Sequence, residues 1–283
     1  MKIVLAVDGS KYSRWATEWL GYLPLRAKAQ SQTQAFHVLD LAALRAPFMV
    51  QPVVIGNEPF IHDEIRRMET RAKQVVADTT SQLASLRIPA KVRSVNGPVA
   101  PTLLKQAGRQ GLVVLGSRGM GALDRFMLGS VSTQVTQHAP CSVLVVKQPP
   151  RPIRRILLAT DGSKPSEKAV RFLLREIRPQ ATGHTVEVLA MHVMPFMKYP
   201  ELKEAGKALV HRDAVKLAKA GYDVEEICQL GQPADEIMKV ADHRKVDLIV
   251  SGAKGLGAVA RFLLGSVSSK LVQHSTCSIL VVR

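Results

Sequence analysis

Two blocks of sequence occur twice in this chain, in the same order, and that duplication limits the fold more than any other feature. KIVLAVDGSKYS at residues 2–13 returns as RILLATDGSKPS at 155–166. VVLGSRGMGALDRFMLGSVSTQVTQHAPCSVLVV at 113–146 returns as IVSGAKGLGAVARFLLGSVSSKLVQHSTCSILVV at 249–282. Chance composition does not preserve both order and spacing over blocks of this length. The offsets, 153 and 136, leave the first half with a net 17 extra residues between its matching ends. A chain of 283 residues accommodates two units, each with its own core. The expected boundaries are 1–146 and 155–283, joined by a proline-containing spacer at 147–154 that disfavours helix.

Within each half, branched apolar runs alternate with helical periodicity. Ile3 to Val7 and Ile156 to Ala159 read as buried strands, each closed by an aspartate, Asp8 or Asp161, followed by Gly-Ser. Helices follow, with Trp15, Trp19 and Leu23 in one half and Ala169, Phe172, Leu173 and Ile177 in the other at core-facing spacing. QAFHVLDL and VLAMHVMPF supply second strands that place His37 and His192 in equivalent positions. An aperiodic stretch at about 42–59 houses the first half's extra residues, as surface excursions commonly do. Long helices begin near Ile61 and Glu201, AKVRSV and DVEEICQL are third strands, and shorter helices are expected at 102–108 and 234–244. LVVLG and LIVSG are fourth strands, and Ser142–Val146 and Ser278–Val282 end the halves as fifth strands. The resulting expectation is α/β: two doubly wound, five-stranded parallel-sheet domains of Rossmann-like or adenine-nucleotide-hydrolase-like architecture.

Composition narrows the function classes. No apolar run is long enough to span a bilayer, so no membrane association is expected. Three cysteines without a C-x-x-C pair form neither a disulfide framework nor a metal knuckle, and they favour a reducing, cytoplasmic setting. Cys141 and Cys277, at the heads of equivalent strands, read as buried small hydrophobes. The formal net charge of +16 draws anionic ligands or acidic protein partners. Its cations form no long block or aromatic-interleaved stripe, which argues against direct nucleic-acid binding.

The chemistry concentrates in a glycine loop present in both halves: Gly116, Arg118 and Gly119, then Gly129 and Ser130; and Gly252, Lys254 and Gly255, then Gly265 and Ser266. Glycines adopt backbone angles closed to other residues and let phosphate oxygens approach the chain. The second pair of each loop precedes a helix, where free amides favour an anion. Ser130 and Ser266 read equally well as ordinary helix caps. The loop follows the fourth strand, which excludes the dinucleotide fingerprint of the first strand, and neither half carries G-x-x-x-x-G-K-[ST]. Asp8, the His37-Val38 segment and the Gly116 loop all fall at carboxyl ends of strands, as do Asp161, His192-Val193 and the Gly252 loop. Ligands of open α/β sheets bind there.

Taken together, VDGS and TDGS after the first strands, FHV and MHV at the second, and G-x-x-G-x9-G-S before the last helix resemble the universal stress protein family, in its tandem, ATP-binding form. The resemblance covers nearly the whole chain except 42–59. It implies ATP, with Mg2+ as an accompanying ion, as the cofactor. By the same resemblance, Asp8 and Asp161 look like the acidic residues near the nucleoside, and Val38 and Val193 like the positions whose backbone reads the adenine edge. Gly116, Gly119, Gly129 and Ser130, with Gly252, Gly255, Gly265 and Ser266, look like the ribose and phosphate cradle. Val131 and Val267 add the next amides, and Arg118 and Lys254 reach phosphate by charge or simply face solvent. The resemblance also implies that the last strands of the halves pair about an intramolecular pseudo-two-fold axis; whole chains forming a homodimer is compatible with it.

No serine-histidine-acid set, metal cluster or paired carboxylates stands out, so no catalytic or metal residues are assigned, and His37 and His192 fit a hydrogen-bonded structural role at least as well as a catalytic one. The leading expectation is a nucleotide-dependent stress-response or regulatory module. A weak magnesium-dependent ATPase and a nucleotide-independent interaction protein using its basic surface are the alternatives.

Overall fold

In the computed structural model, which describes residues 1–26, 32–42, 58–119, 128–181, 183–194, 201–254 and 264–283, the two halves share one sheet. The first half runs β1 (Ile3–Ala6), α1 (Lys11–Tyr22), β2 (Thr33–Leu39), α2 (Glu58–Ser85), β3 (Ala90–Asn96), α3 (Val99–Ala107), β4 (Leu112–Gly116), α4 (Ser130–His138) and β5 (Ser142–Val146). The second repeats it as β6 (Arg155–Ala159), α5 (Lys164–Glu176), β9 (Glu187–Met194), α6 (Glu201–Lys219), β10 (Asp223–Leu230), α7 (Pro233–His243), β11 (Leu248–Gly252), α8 (Ser266–His274) and β12 (Ser278–Val282). Ahead of β9 it inserts a small antiparallel hairpin, β7 (Gln180–Ala181) with β8 (His184–Thr185). The sequence pattern does not announce this hairpin, because two-residue strands leave no periodicity to read.

Strand order across the sheet is β10-β9-β6-β11-β12-β5-β4-β1-β2-β3. Within this sheet the strands of each half are parallel, and the halves join through β5 and β12, which are antiparallel with Leu144 opposite Leu280; a separate antiparallel bridge pairs Leu25 with Ile177. Strands β4, β5, β11 and β12 are buried along their whole length. Both faces are therefore covered, and these strands read as continuous apolar runs rather than alternating ones. One face carries a core that includes Trp19 and Leu20 of α1, Val75 and Leu83 of α2, Leu173 of α5 and Leu217 of α6. The other carries Leu103 of α3, Val135 of α4, Ile237 of α7 and Leu271 of α8. Each core crosses from one half into the other, so the seam is interior.

Local signals set the helix starts. Ser10 and Ser163 cap α1 and α5 by accepting the amides of Ser13 and Ser166 at 3.1 and 3.3 Å. The helix expected from 102 begins at Val99, directly after Pro98, and the one expected at 234 begins with Pro233. Proline suits a first turn because the missing N–H would have no helical partner there. The excursion at 42–59 falls almost wholly outside the described residues.

The seam is held by a reciprocal exchange. The amide of Lys147 donates to Ser278 Oγ at 3.1 Å, and that of Arg283, one repeat later, donates to Ser142 Oγ at 3.3 Å. Lys147 Nζ donates to the carbonyl of Ser275 at the end of α8 (2.7 Å), while the Arg283 guanidinium donates to Thr136 and Gln137 at the end of α4 (2.8 and 3.3 Å). Each half thus places a cation on the carbonyl end of the other half's last helix, where the helix field favours positive charge. The linker lies across one side, with Trp19 Nε1 donating to Gln148 O at 3.0 Å and Arg151 paired to Asp247 at 2.6 Å. Cys141 and Cys277 are buried beside this seam, and burial pushes their thiols up to about 11 and about 12, so both are neutral, packed groups.

Burial also lowers the Lys147 amine from 10.5 to about 8. Between these values the unfolded chain holds a proton that the folded chain has released, so this site's contribution to stability grows as pH rises from about 8 towards 10.5. Wild type is expected to gain stability over Lys147→Met across that window in urea titrations. A difference that is flat or shrinks with pH contradicts the seam geometry.

Candidate functional site

The switch point of each half lies between its first and fourth strands. From β1 the chain winds outward through β2 and β3, then returns to the other side of β1 as β4. The helices that follow β1 and β4 lie on opposite faces, so their loops part at the carboxyl ends and open a crevice. In the first half this crevice is a cavity of about 600 Å³.

All eight residues singled out in the first half, Asp8, Val38, Gly116, Arg118, Gly119, Gly129, Ser130 and Val131, line that one cavity. They come from four separate segments of the chain. The cavity has two chemical ends. Phe36, Val38, Val99, Leu103 and Leu128 make one wall apolar, whereas Asp8, the glycine loop and the start of α4 make the other polar.

Close approach explains most of the glycines. A Cβ on Gly116 would lie 2.6 Å from the Tyr12 carbonyl carbon, and one on Gly252 would lie 2.5 Å from that of Pro165, so β4 and β11 pass against the first turns of α1 and α5. A Cβ on Gly119 would lie 2.8 Å from Asp8 Oδ2, so the loop leaves room for the carboxylate. The loop glycines 116, 119, 129, 252 and 265 do not adopt positive φ, contrary to the expectation of unusual backbone angles. That geometry belongs instead to Gly9 and Gly162 in the Asp-Gly-Ser turns, at φ 79° and 75°. In these turns Asp8 Oδ1 accepts the amide of Ser10 at 2.9 Å and Asp161 Oδ1 that of Ser163 at 3.0 Å. Each aspartate is thereby fixed at its strand end.

The cap reading of Ser130 and Ser266 is overturned. Gly129 and Gly265 are the N-caps, without a side-chain cap bond, and the serines are the first helical residues. The amides of the first turn are consequently not closed by the protein's own hydroxyl, unlike those of α1 and α5. The residues that hold the loop in place are Ser132 and Ser268, which the sequence reading passes over. Ser132 Oγ meets the carbonyls of Gly116 and Ser117 at 2.8 and 3.1 Å, and Ser268 Oγ donates to Gly252 O at 2.7 Å. The repeated Ser-Val-Ser in both halves was the available signal. Gly129 N donates to Ser117 O and Gly265 N to Ala253 O, both at 2.8 Å. The exchange of serine for alanine therefore leaves this backbone contact unchanged.

Arg118 lines the cavity with its guanidinium 2.6 Å from Tyr12 Oη and above that ring. His37 and His192 each set Nδ1 2.8 Å from a backbone oxygen, that of Val7 and of Thr160. Each ring therefore ties the second strand to the end of the first. In the second half Asp161, Val193, Gly252, Lys254, Gly265, Ser266 and Val267 occupy the equivalent strand ends and helix start, while Gly255 lies outside the described residues. The two crevices differ beneath their rims. Thr160 stands where the first half has Val7 and donates to the fully buried Asp213 at 2.8 Å, and Ser251 stands where it has Leu115, with its hydroxyl buried and unpartnered. Among the described residues no group of three His, Cys, Asp or Glu could hold a metal, and no helix is long and apolar enough to cross a membrane.

A doubly wound sheet with an amide-lined crevice at its switch point is the architecture of a class of nucleotide-binding α/β proteins. The universal stress protein family model matches residues 1–147 and again 152–283, and the chain belongs to that family as a tandem member. It is 32% identical over 304 residues to a universal stress protein of Mycolicibacterium smegmatis, spanning 99% of this chain and 96% of that one. A universal stress protein of Thermus aquaticus is 35% identical over 139 residues, which is 46% of this chain and 98% of that protein. The crystal structure of a universal stress protein from Archaeoglobus fulgidus superposes with a TM-score of 0.68 at 20% identity, covering 100% of this chain and 98% of that one.

Because the Gly116 contact is with backbone, its neighbour cannot rotate away. Gly116→Ala is expected to cost about 1–3 kcal/mol in urea unfolding, the usual range for overpacking. A change within about 0.5 kcal/mol would show that β4 does not sit against α1 as described.

Proposed function

We propose that the protein is an adenine-nucleotide-binding stress-response module, with ATP as the principal ligand, whose surface or partner affinity follows the occupancy of its crevices. The observation that carries this reading is the two-ended cavity of the first half. Its apolar wall suits a flat, weakly polar base, and its other end offers glycine backbone and the open first turn of α4 to phosphate. In this reading the backbone of Val38 meets the adenine edge. Asp8, with one oxygen committed to Ser10, turns the other towards the ribose. Gly116, Gly119, Gly129, Ser130 and Val131 receive the phosphates, with Arg118 beside them, and Mg2+ would travel with the phosphates near Asp8.

The second crevice repeats the assignment with Asp161, Val193, Gly252, Lys254, Gly255, Gly265, Ser266 and Val267. Residues 1–146 and 155–283 are the two binding units and 147–154 the linker, acting in the reducing cytoplasm where three free thiols are stable.

Binding is favoured over turnover because the nearby groups are already committed. Asp8 Oδ1 holds the Ser10 amide and the His37 ring holds Val7 O, so both side chains serve the framework, and the remaining Asp8 oxygen is assigned to the ribose rather than to an attacking water. In a Gly265→Val background that leaves the first crevice alone, adding Gly129→Val is expected to weaken a fluorescent ATP analogue at least tenfold with the circular dichroism unchanged. Equal affinity in the folded double variant would show that the glycine loop does not carry the phosphates.

A further inference from the structure

On the side of the seam away from the linker, a second recess of about 410 Å³ opens between the halves. Arg109 enters it from the loop before β4, Lys168, Arg171 and Arg175 from successive turns of α5, and Arg283 from the end of β12; Glu176 is the one carboxylate side chain among them. Arg109, Lys168, Arg171 and Arg175 form no ion pair with any described carboxylate. The Arg283 guanidinium spends one nitrogen on the end of α4 and keeps Nε buried without a partner.

The chain's own symmetry shows that fold does not require this gathering of charge. The repeat partners of Lys168, Arg171 and Arg175 are Trp15, Glu18 and Tyr22, and the partner of Gly111, which also lines the recess, is Asp247. On the linker side Asp247 accepts the Arg151 guanidinium and the amides of Arg154 and Arg155. Where one side of the seam is aromatic and neutralised, the other has exchanged those groups for cations and dropped the balancing acid.

We infer that this recess is a binding site for a small polyanion carrying two or more phosphate groups, distinct from the two crevices and independent of what they bind. Four of the five cations are arginines, whose planar forks match phosphate oxygens in pairs. The recess lies within the size range of small-molecule sites, about 300–1,000 Å³. Its cations converge on one concavity instead of forming a track, which suits a compact polyanion rather than an extended nucleic acid. Since both halves contribute, an occupant bridges the seam and stabilises the folded chain by mass action.

Inorganic tripolyphosphate, without metal, is the probe. Wild type is expected to bind it in calorimetry and to melt at a higher temperature in its presence. In the Gly129→Val, Gly265→Val background, adding Arg171→Gln with Arg175→Gln, both exposed, should weaken binding at least tenfold and abolish the thermal shift. Arg66→Gln with Lys73→Gln, which removes the same charge from the exposed surface of α2, should change neither. The crevice variant Gly129→Val with Gly265→Val should retain the binding event. The inference is overturned if wild type does not bind at millimolar concentration, if the α5 variant binds as tightly as its crevice-variant background, if the α2 variant loses as much, or if the crevice variant alone loses the event.

Discussion

The antiparallel pairing of β5 with β12 is the constraint on which the rest of this structure depends. Strands β4, β5, β11 and β12 are apolar and buried along their length. Without a neighbour, β5 and β12 would each present an unpaired edge of that character, the kind that recruits other chains. Pairing inside the chain closes both edges, makes each core continuous across the seam, and brings Lys147 and Arg283 to the helix ends of the opposite half. The crevices then lie one in each half on a single sheet, at switch points formed by equivalent strands.

Duplication and divergence act on different layers of this scaffold. In both halves the ends of the glycine loop are held by the same two contacts, a serine hydroxyl (Ser132 or Ser268) on the first glycine's carbonyl and the amide of Gly129 or Gly265 on the carbonyl of Ser117 or Ala253. Side chains below and between the crevices have changed. In the second half Thr160, bonded to the buried Asp213, and Ser251 stand where the first has Val7 and Leu115, and the seam is aromatic and neutralised on one side and cationic on the other. The loops keep the common framework while these positions separate the chemistry of the two halves.

Much of the fold was legible because buried parallel strands leave continuous apolar runs bounded by Asp-Gly or Gly-Ser. LVVLG, LIVSG, SVLVV and SILVV are strands at the residues their composition indicates. Helix starts shifted by one to three residues where a proline stands at the N-cap, as Pro98 does, or at the first helical position, as Pro233 does, and the β7–β8 hairpin was too short to leave a pattern. At the candidate site, the repeat picked out the segments that converge on the first cavity. It did not reveal why each glycine is there, because a close approach to Tyr12 or Pro165 is a tertiary fact without a local signal. Nor did it separate a capping serine from a first-turn serine, which depends on backbone geometry one residue earlier. The cationic recess was hidden because Arg109 and Arg283 are far in sequence from the three cations of α5 and only the seam brings them together.

The central claim is that the crevices are nucleotide sites built on one shared sheet. The most direct test is a calorimetric titration of ligand-stripped protein with ATP, with and without magnesium, that reports the number of sites per chain. The account predicts two sites of unequal affinity, because Thr160 and Ser251 stand in the second half where Val7 and Leu115 line the first cavity. Absence of binding at millimolar ATP by folded protein would contradict it.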